Sequence, residues 1–97
     1  MHVISIKALK EFWLRHADAE APLKAWYHEA EHAQWDSFPD ILARYNSADC
    51  LPNQRVVFNI KGNHYRLIVR INYESKTLFI RFIGTHAEYD KINAETI

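Results

Sequence analysis

A chain of 97 residues is long enough for one domain with one modest core. Hydrophobic residues make up 48% and charged residues 25%, with only two glycines and three prolines, which argues against a disordered or low-complexity chain. The formal net charge is zero, but residues 1–50 carry five Lys/Arg against eight Asp/Glu, whereas residues 51–97 carry seven against four. Between Arg55 and His86 six cations accompany a single acid, Glu74, so a neutral average hides a basic half that suits a localised anion site.

The single cysteine, Cys50, has no partner for an internal disulfide, and a reducing, cytoplasmic setting is the simpler reading. It sits in the loop-like stretch Asn46–Pro52, where nothing local supplies a base to activate a thiol. Lys7, Lys10, Glu11 and Arg15 interrupt any apolar stretch near the start, so no secretory signal is expected. No apolar run approaches the ~20 residues needed to cross a membrane.

In chain order, His2–Ser5 alternates and is compatible with a first strand. Ser5 is placed to cap a helix over Ile6–His16, with Ile6, Leu9 and Trp13 on one stripe and Phe12 beside it. Ala17–Glu20 breaks that pattern. Pro22 fits the first turn of a second helix, in which Leu23, Trp26, Tyr27 and Ala30 follow the i, i+3, i+4, i+7 spacing. After Asp36-Ser37-Phe38-Pro39, Ser37 can cap a short third helix with Ile41, Leu42 and Tyr45 facing inward.

From Arg55 the period changes from 3.6 to 2. Val56, Phe58 and Ile60 alternate with Arg55, Val57, Asn59 and Lys61, and Gly62-Asn63 marks a hairpin turn. In the next strand Tyr65, Leu67, Val69, Ile71 and Tyr73 take one side, and His64, Arg66, Ile68, Arg70 and Asn72 the other. After a turn at Glu74-Ser75-Lys76, the third strand puts Leu78, Ile80 and Phe82 on one face and Phe79, Arg81 and Ile83 on the other. It ends at Gly84-Thr85-His86, and the charged tail 87–97 is expected to form a helical turn or a short helix. The pattern predicts a single α+β domain over residues 1–97: an N-terminal strand and helices packed on a mainly antiparallel sheet of three to four strands. Helices cover the apolar face. The opposite face then carries Arg55, Asn59, Lys61, His64, Arg66, Arg70 and Arg81.

A basic sheet face of this kind suits an RNA backbone, with cations on phosphates and rings against unpaired bases. Chemistry available to it without a metal is RNA transesterification, in which a 2′-OH attacks the adjacent phosphate and expels the 5′ oxygen. That reaction needs proton transfer at both oxygens and cations for the charge that builds on phosphate. His86 has the right ordinary titration range, Arg66 and Arg81 can hold phosphate oxygens through paired donors, and Tyr89 can donate a proton or stack on a base.

The run Val57–Leu67, Phe-Asn-x-x-Gly-Asn-x-Tyr-Arg-Leu at its core, and the run Ile80–Lys91, with Thr-His-x-Glu-Tyr-Asp-Lys, closely resemble the HigB toxin family. The opening Met1–Leu9 and the helical first half are similar to it as well. The resemblance implies a RelE-like fold, ribosome-dependent cleavage of mRNA without cofactor or metal, and neutralisation by a helix-turn-helix antitoxin of the HigA type. Operator DNA would be reached only through that antitoxin. It also implies that Arg66 contacts the scissile phosphate, while His86, Tyr89 and Lys91 fall on the C-terminal motif. The neutral net charge departs from the basic character common among such toxins.

Two other readings stand beside this one. His28-Glu29-Ala30-Glu31-His32 is a literal H-E-x-x-H, whose histidines would share a helix face and could hold Zn²⁺ with Glu29 as base. Against a metalloprotease stand the charge of Glu31, the lack of an evident third ligand and the small chain. The third reading is a non-catalytic domain whose basic face binds RNA or an acidic protein.

Overall fold

The computed structural model describes residues 1–97. Chain order is β1 (His2–Ile4), α1 (Lys7–Arg15), a short 3₁₀ turn (Ala17–Ala19), α2 (Glu20–His32), α3 (Phe38–Arg44), β2 (Asp49–Leu51), β3 (Arg55–Ile60), β4 (Tyr65–Asn72), β5 (Thr77–Thr85) and α4 (His86–Tyr89). One five-stranded sheet has the order β1-β5-β4-β3-β2, antiparallel except for β1, which runs parallel to β5. The sheet thus has five strands rather than three or four. The additional one, β2, lies in the polar stretch read as a loop; its three residues form a strand because the β3 edge offers backbone partners from Arg55 to Val57.

The helices cover one face of this sheet. Leu9, Phe12, Leu23, Trp26 and Ile41 pack there against Val56, Phe58, Leu67, Val69, Ile71 and Leu78. The helical stripes follow the 3.6 period as expected, and Ser5 Oγ accepts from the Lys7 amide at 3.1 Å. Leu42 does not face inward. It is 40% exposed because Phe38, Ile41 and Tyr45 form the buried stripe of α3, and Leu42 is rotated off it. The Ser37 side chain makes no capping bond, although its extended backbone starts α3 and Pro39 lies in the first turn.

Four-residue connections join the hairpins, between Ile60 and Tyr65 and between Asn72 and Thr77. The first centres on Gly62-Asn63, as expected: the His64 amide donates to the Lys61 carbonyl at 3.2 Å across them, and Lys61 and Gly62 take left-handed backbone (φ 53° and 65°). The parity of β3 and β4 is as the alternation predicts. That of β5 is not, because Ile68 pairs with Phe82 while Val69 pairs with Ile80. Arg81 is the extra residue of a β-bulge. Beyond it the faces exchange: Phe82 joins Arg66 and Ile68, and Ile83 turns to the helices and packs on the core.

The face away from the helices is less open than the alternation implies. Val57 and Ile68 lie on it, yet they are only 1% and 0% exposed. The tail returns across this face: the Ile97 backbone oxygen accepts from Arg55 on β3 at 2.7 Å and from Arg81 on β5 at 3.2 Å, and those strands flank β4.

Candidate active site

Arg66 lies on the central strand β4, flanked in sequence by the fully buried core residue Leu67, so parity turns its side chain away from the helices. Opposite it in β5 stands Gly84. A Cβ at Gly84 would fall 2.5 Å from Cζ of Phe82 and 3.1 Å from Oε1 of Glu88, so the bare backbone lets the chain turn closely into α4. That turn is fixed by a capping box. Thr85 Oγ1 accepts from the Glu88 amide at 3.2 Å, and Glu88 Oε1 accepts from the Thr85 amide at 2.8 Å. The Thr85 amide holds the Glu88 carboxyl below its ordinary range, with a further contribution from the Thr85 hydroxyl.

The box delivers His86 and Tyr89 to Arg66. A terminal guanidinium nitrogen of Arg66 lies 2.9 Å from His86 Nε2, and Arg66 Cζ sits 5.0 Å from the centre of the Tyr89 ring. A guanidinium can only donate, so Nε2 is the acceptor, and the neutral imidazole carries its proton on Nδ1. Nδ1 faces the Asp90 carboxylate at 3.6 Å. Arg66 Nε is buried without a partner, an unmet donor of the kind that ordinarily costs 1–3 kcal/mol. A proton acceptor, a planar cation with spare donors and an aromatic ring thus converge at one rim of the sheet, backed by a carboxylate.

The other sequence-derived candidates lie elsewhere. Arg81 does not join Arg66; the bulge turns it toward Arg55 and the Ile97 oxygen. Arg70 is exposed, with Cζ 5.6 Å from the Phe79 ring centre. Asn59 faces Arg66 in the register, but its Nδ2 donates to the Ser47 carbonyl at 3.1 Å. Lys61 leaves the predicted basic face. Its left-handed backbone breaks strand parity, and its ammonium pairs with Asp18 at 2.6 Å. His64 sits exposed in the same turn with Nδ1 2.9 Å from the Lys61 carbonyl, and Lys91 is exposed just beyond α4.

The sequence profile of the HigB toxin, described as a RelE-like toxic component of a toxin-antitoxin system, matches residues 19–92. The chain belongs to the HigB toxin family. It is 29% identical over 96 residues to the mRNA interferase toxin HigB of Escherichia coli K12, covering 97% of this chain and 92% of that protein. It is also 27% identical over 94 residues to the mRNA interferase HigB of Escherichia coli O6:H1, covering 95% and 91%. The fold is accordingly a RelE-like α+β domain, and the family description pairs the toxin with an antitoxin. No helix is long and apolar enough to cross a membrane.

In this HigB-family chain the H-E-x-x-H segment lies on α2, away from Arg66. The His28 and His32 rings approach to 4.5 Å, but Glu29 accepts a hydrogen bond from the Tyr45 hydroxyl and pairs with Arg44. Nowhere do three potential ligands among His, Cys, Asp and Glu cluster. Burial, and then Glu29, push the Tyr45 hydroxyl up from its ordinary range. Two features escaped the sequence reading. Asp90 follows His86 at i+4, a spacing that places side chains on one helical face. The Thr85-x-x-Glu88 box, readable as a helix start, defines the angle at which that face meets Arg66.

Proposed function

We propose that this toxin is a ribosome-dependent endoribonuclease that cuts mRNA by transesterification at the Arg66–His86–Tyr89 rim. The observation that carries the reading is the 2.9 Å contact between Arg66 and His86 Nε2, with the Tyr89 ring beside the guanidinium. A phosphate arriving at Arg66 offers charged oxygens to its donors, including the unmet Nε. The guanidinium then turns from Nε2 to phosphate, which frees the imidazole lone pair. The ribose 2′-oxygen forms its bond to phosphorus as the bond to the 5′ oxygen breaks. His86 Nε2 is assigned acceptance of the 2′-hydroxyl proton and Asp90 the orientation of the ring; the leaving 5′ oxygen takes its proton from the Tyr89 hydroxyl or, where Tyr89 only stacks on a base, from the His86 imidazolium so formed. Arg66 stabilises the charge on the phosphate in the transition state. No step needs a metal or cofactor from the toxin.

The names of the two relatives, both called mRNA interferases, support this activity. A cytoplasmic setting and a helix-turn-helix antitoxin of the HigA type, the sole route to operator DNA, complete the proposal. The test is a translation system programmed with a defined mRNA, followed by mapping of RNA ends. The expected result is cleavage by the parent, ends bearing a cyclic phosphate and a 5′-OH, and loss of cleavage in a folded Arg66→Ala variant. RNA binding without any cut would instead establish the non-catalytic alternative.

A further inference from the structure

A cleft of about 530 Å³ opens beside the reactive rim, lined by Leu51, Tyr89, Asp90, Ile92, Asn93 and Glu95. That volume lies within the range of small-molecule sites, roughly 300–1,000 Å³. Tyr89 belongs to both places: the Arg66 guanidinium lies over its ring at 5.0 Å, and the same residue forms a wall of the cleft. No Lys, Arg or His lines the cleft, whereas Asp90 and Glu95 both do. A phosphate is therefore drawn to Arg66 and repelled from the cleft. The cleft is left to a neutral group next to that phosphate, and in RNA that group is a base.

The polar groups of the cleft are held in place from behind. The Glu95 amide donates to Asn93 Oδ1 at 3.0 Å, and the Glu95 carbonyl accepts from Asn53 Nδ2 at 3.0 Å. The Glu95 carboxylate itself takes part in no ion pair. Since a backbone N–H donates to Asn93, its oxygen is the engaged atom, and Nδ2 keeps both of its donors. Asp90 is turned to His86 Nδ1 at 3.6 Å and belongs to the rim. What remains is a carboxylate with two acceptor oxygens, an amide with free donors, an aromatic ring, and the apolar side chains of Leu51 and Ile92.

We infer that this cleft selects guanine as the base beside the cut, with Glu95 reading its Watson–Crick edge. This rests on the ribonuclease reading above and adds the base that the site accepts. Guanine is the one RNA base with two adjacent donors on that edge, N1–H and the N2 amino group, and an acceptor, O6, beside them. Glu95 accepts from both donors in the paired, charge-assisted manner that a carboxylate favours, and Asn93 Nδ2 donates to O6. The ring stacks on the face of Tyr89 turned from Arg66, whichever group protonates the leaving oxygen. Adenine and cytosine present one amino group beside a ring-nitrogen acceptor, and uracil presents one N–H between two carbonyl oxygens. Each of those bases satisfies one carboxylate oxygen and sets a lone pair against the other.

The test compares the parent chain with Glu95→Gln. A translation system is programmed with mRNAs that differ only in the base on one side of the cut, all four bases being tried on each side. The parent is expected to cut about 5- to 150-fold faster with guanine at one of the two positions, the discrimination that one bidentate pair provides. Glu95→Gln replaces one acceptor by a donor and so matches the donor–acceptor edge of adenine; the preference moves from guanine to adenine. A parent indifferent to both flanking bases, or the same preference in parent and folded variant, overturns the assignment. Guanosine and adenosine 3′- and 5′-monophosphates, titrated without ribosomes and followed through the ring signals of Tyr89, keep the two readings apart. Guanosine-selective binding that Glu95→Gln abolishes, in a parent that cuts no RNA, supports the cleft and removes the ribonuclease reading. Cleavage without base preference, with equal binding of all four nucleotides, does the reverse. Asn93→Asp is the second variant: it keeps the oxygen that holds the Glu95 amide and removes the donor to O6. Its guanosine binding is expected to weaken about threefold to tenfold, as for one ordinary hydrogen bond. Unaltered guanosine binding in both folded variants overturns the cleft.

Discussion

Arg66 and His86 meet side chain to side chain at 2.9 Å, although twenty positions separate them, because a capping box turns the chain at the end of β5. Under the proposed reaction the pairing links the two residues in function: the guanidinium occupies the nitrogen to which proton transfer is assigned. Replacing Arg66 by alanine frees that nitrogen but removes the cation to which the proposal assigns stabilisation of the transition state. The expected net effect is a loss of ~10²–10³-fold in cleavage rate, equivalent to about 2.7–4 kcal/mol. Arg66→Lys keeps the charge but not the planar fork and recovers only part of the rate. Single-turnover cleavage of ribosome-bound mRNA measures both, and an unimpaired, folded Arg66→Ala variant removes this residue from the reaction.

His86→Ala is expected to slow cleavage by ~10²–10⁴-fold, the range of a general acid–base group. Ribosome binding by that variant stays close to the parent's, since a neutral ring adds little to phosphate affinity. Asp90→Asn gives a smaller loss in kcat with KM nearly unchanged, because Asp90 faces His86 Nδ1 at 3.6 Å and acts through the ring's orientation. Tyr89→Phe separates the functions of ring and hydroxyl. Full activity in Tyr89→Phe with loss in Tyr89→Leu assigns stacking. Loss in both assigns the hydroxyl to proton transfer.

Much of this site was legible in the sequence. Period-two alternation placed Leu67 and Val69, both fully buried, on the core face and hence Arg66 on the other. His86 followed from its place at the end of the third strand. Legibility failed where one residue changes parity or where the chain returns from a distance. Leu78 to Ile83 reads as unbroken alternation, so nothing local reveals that Arg81 is bulged, or that Phe82 and Ile83 exchange faces beyond it. Lys61 reads as strand but adopts a left-handed backbone beside Gly62 and turns to Asp18. The three residues of β2 are too few to carry a period, and the contact of Ile97 with Arg55 spans 42 positions.

The core makes a prediction independent of function. Phe58, 1% exposed, meets the rings of Trp26, Trp35 and Tyr45 at centroid distances of 5.4, 6.3 and 5.2 Å. These rings come from α2, from the segment before α3 and from its end, so one side chain of β3 joins the helical layer to the sheet. Phe58→Ala is expected to cost about 3–5 kcal/mol, through lost transfer energy and the cavity left behind. Urea unfolding monitored by tryptophan fluorescence measures it; a cost below about 1 kcal/mol contradicts the packing described.

Combining His28→Ala with His32→Ala tests the competing motif. Both residues are on α2, and Glu29 between them is committed to Tyr45 and Arg44. Cleavage by the double variant is expected at the parent rate, with a stability change within about 0.5 kcal/mol for surface substitutions. Added chelator is no substitute for this test, because the ribosome itself needs Mg²⁺. A folded double variant without activity would return the H-E-x-x-H segment to the reaction.

Acid should weaken the fold through two carboxylates whose partners lie at the ends of the sheet. The Lys61 ammonium, and then the Tyr65 hydroxyl, hold Asp18 below its ordinary value of 3.8. The Thr85 amide does the same for Glu88 relative to 4.5. Both groups bind protons less readily when folded than when unfolded, so each contributes stability that is complete above the ordinary value. The contribution falls as pH drops through that value and is gone below the folded one. Both carboxylates are solvent-facing, which keeps each contribution small. The Asp18→Asn/Glu88→Gln double variant is therefore less stable than the parent near pH 7, and the difference narrows between about pH 5 and pH 3. Urea midpoints across that interval provide the measurement. Parallel acid limbs for parent and variant would show that neither carboxylate is preferentially charged in the folded state, and the clamp between Asp18, Lys61 and Tyr65 would then hold no electrostatic share of the stability.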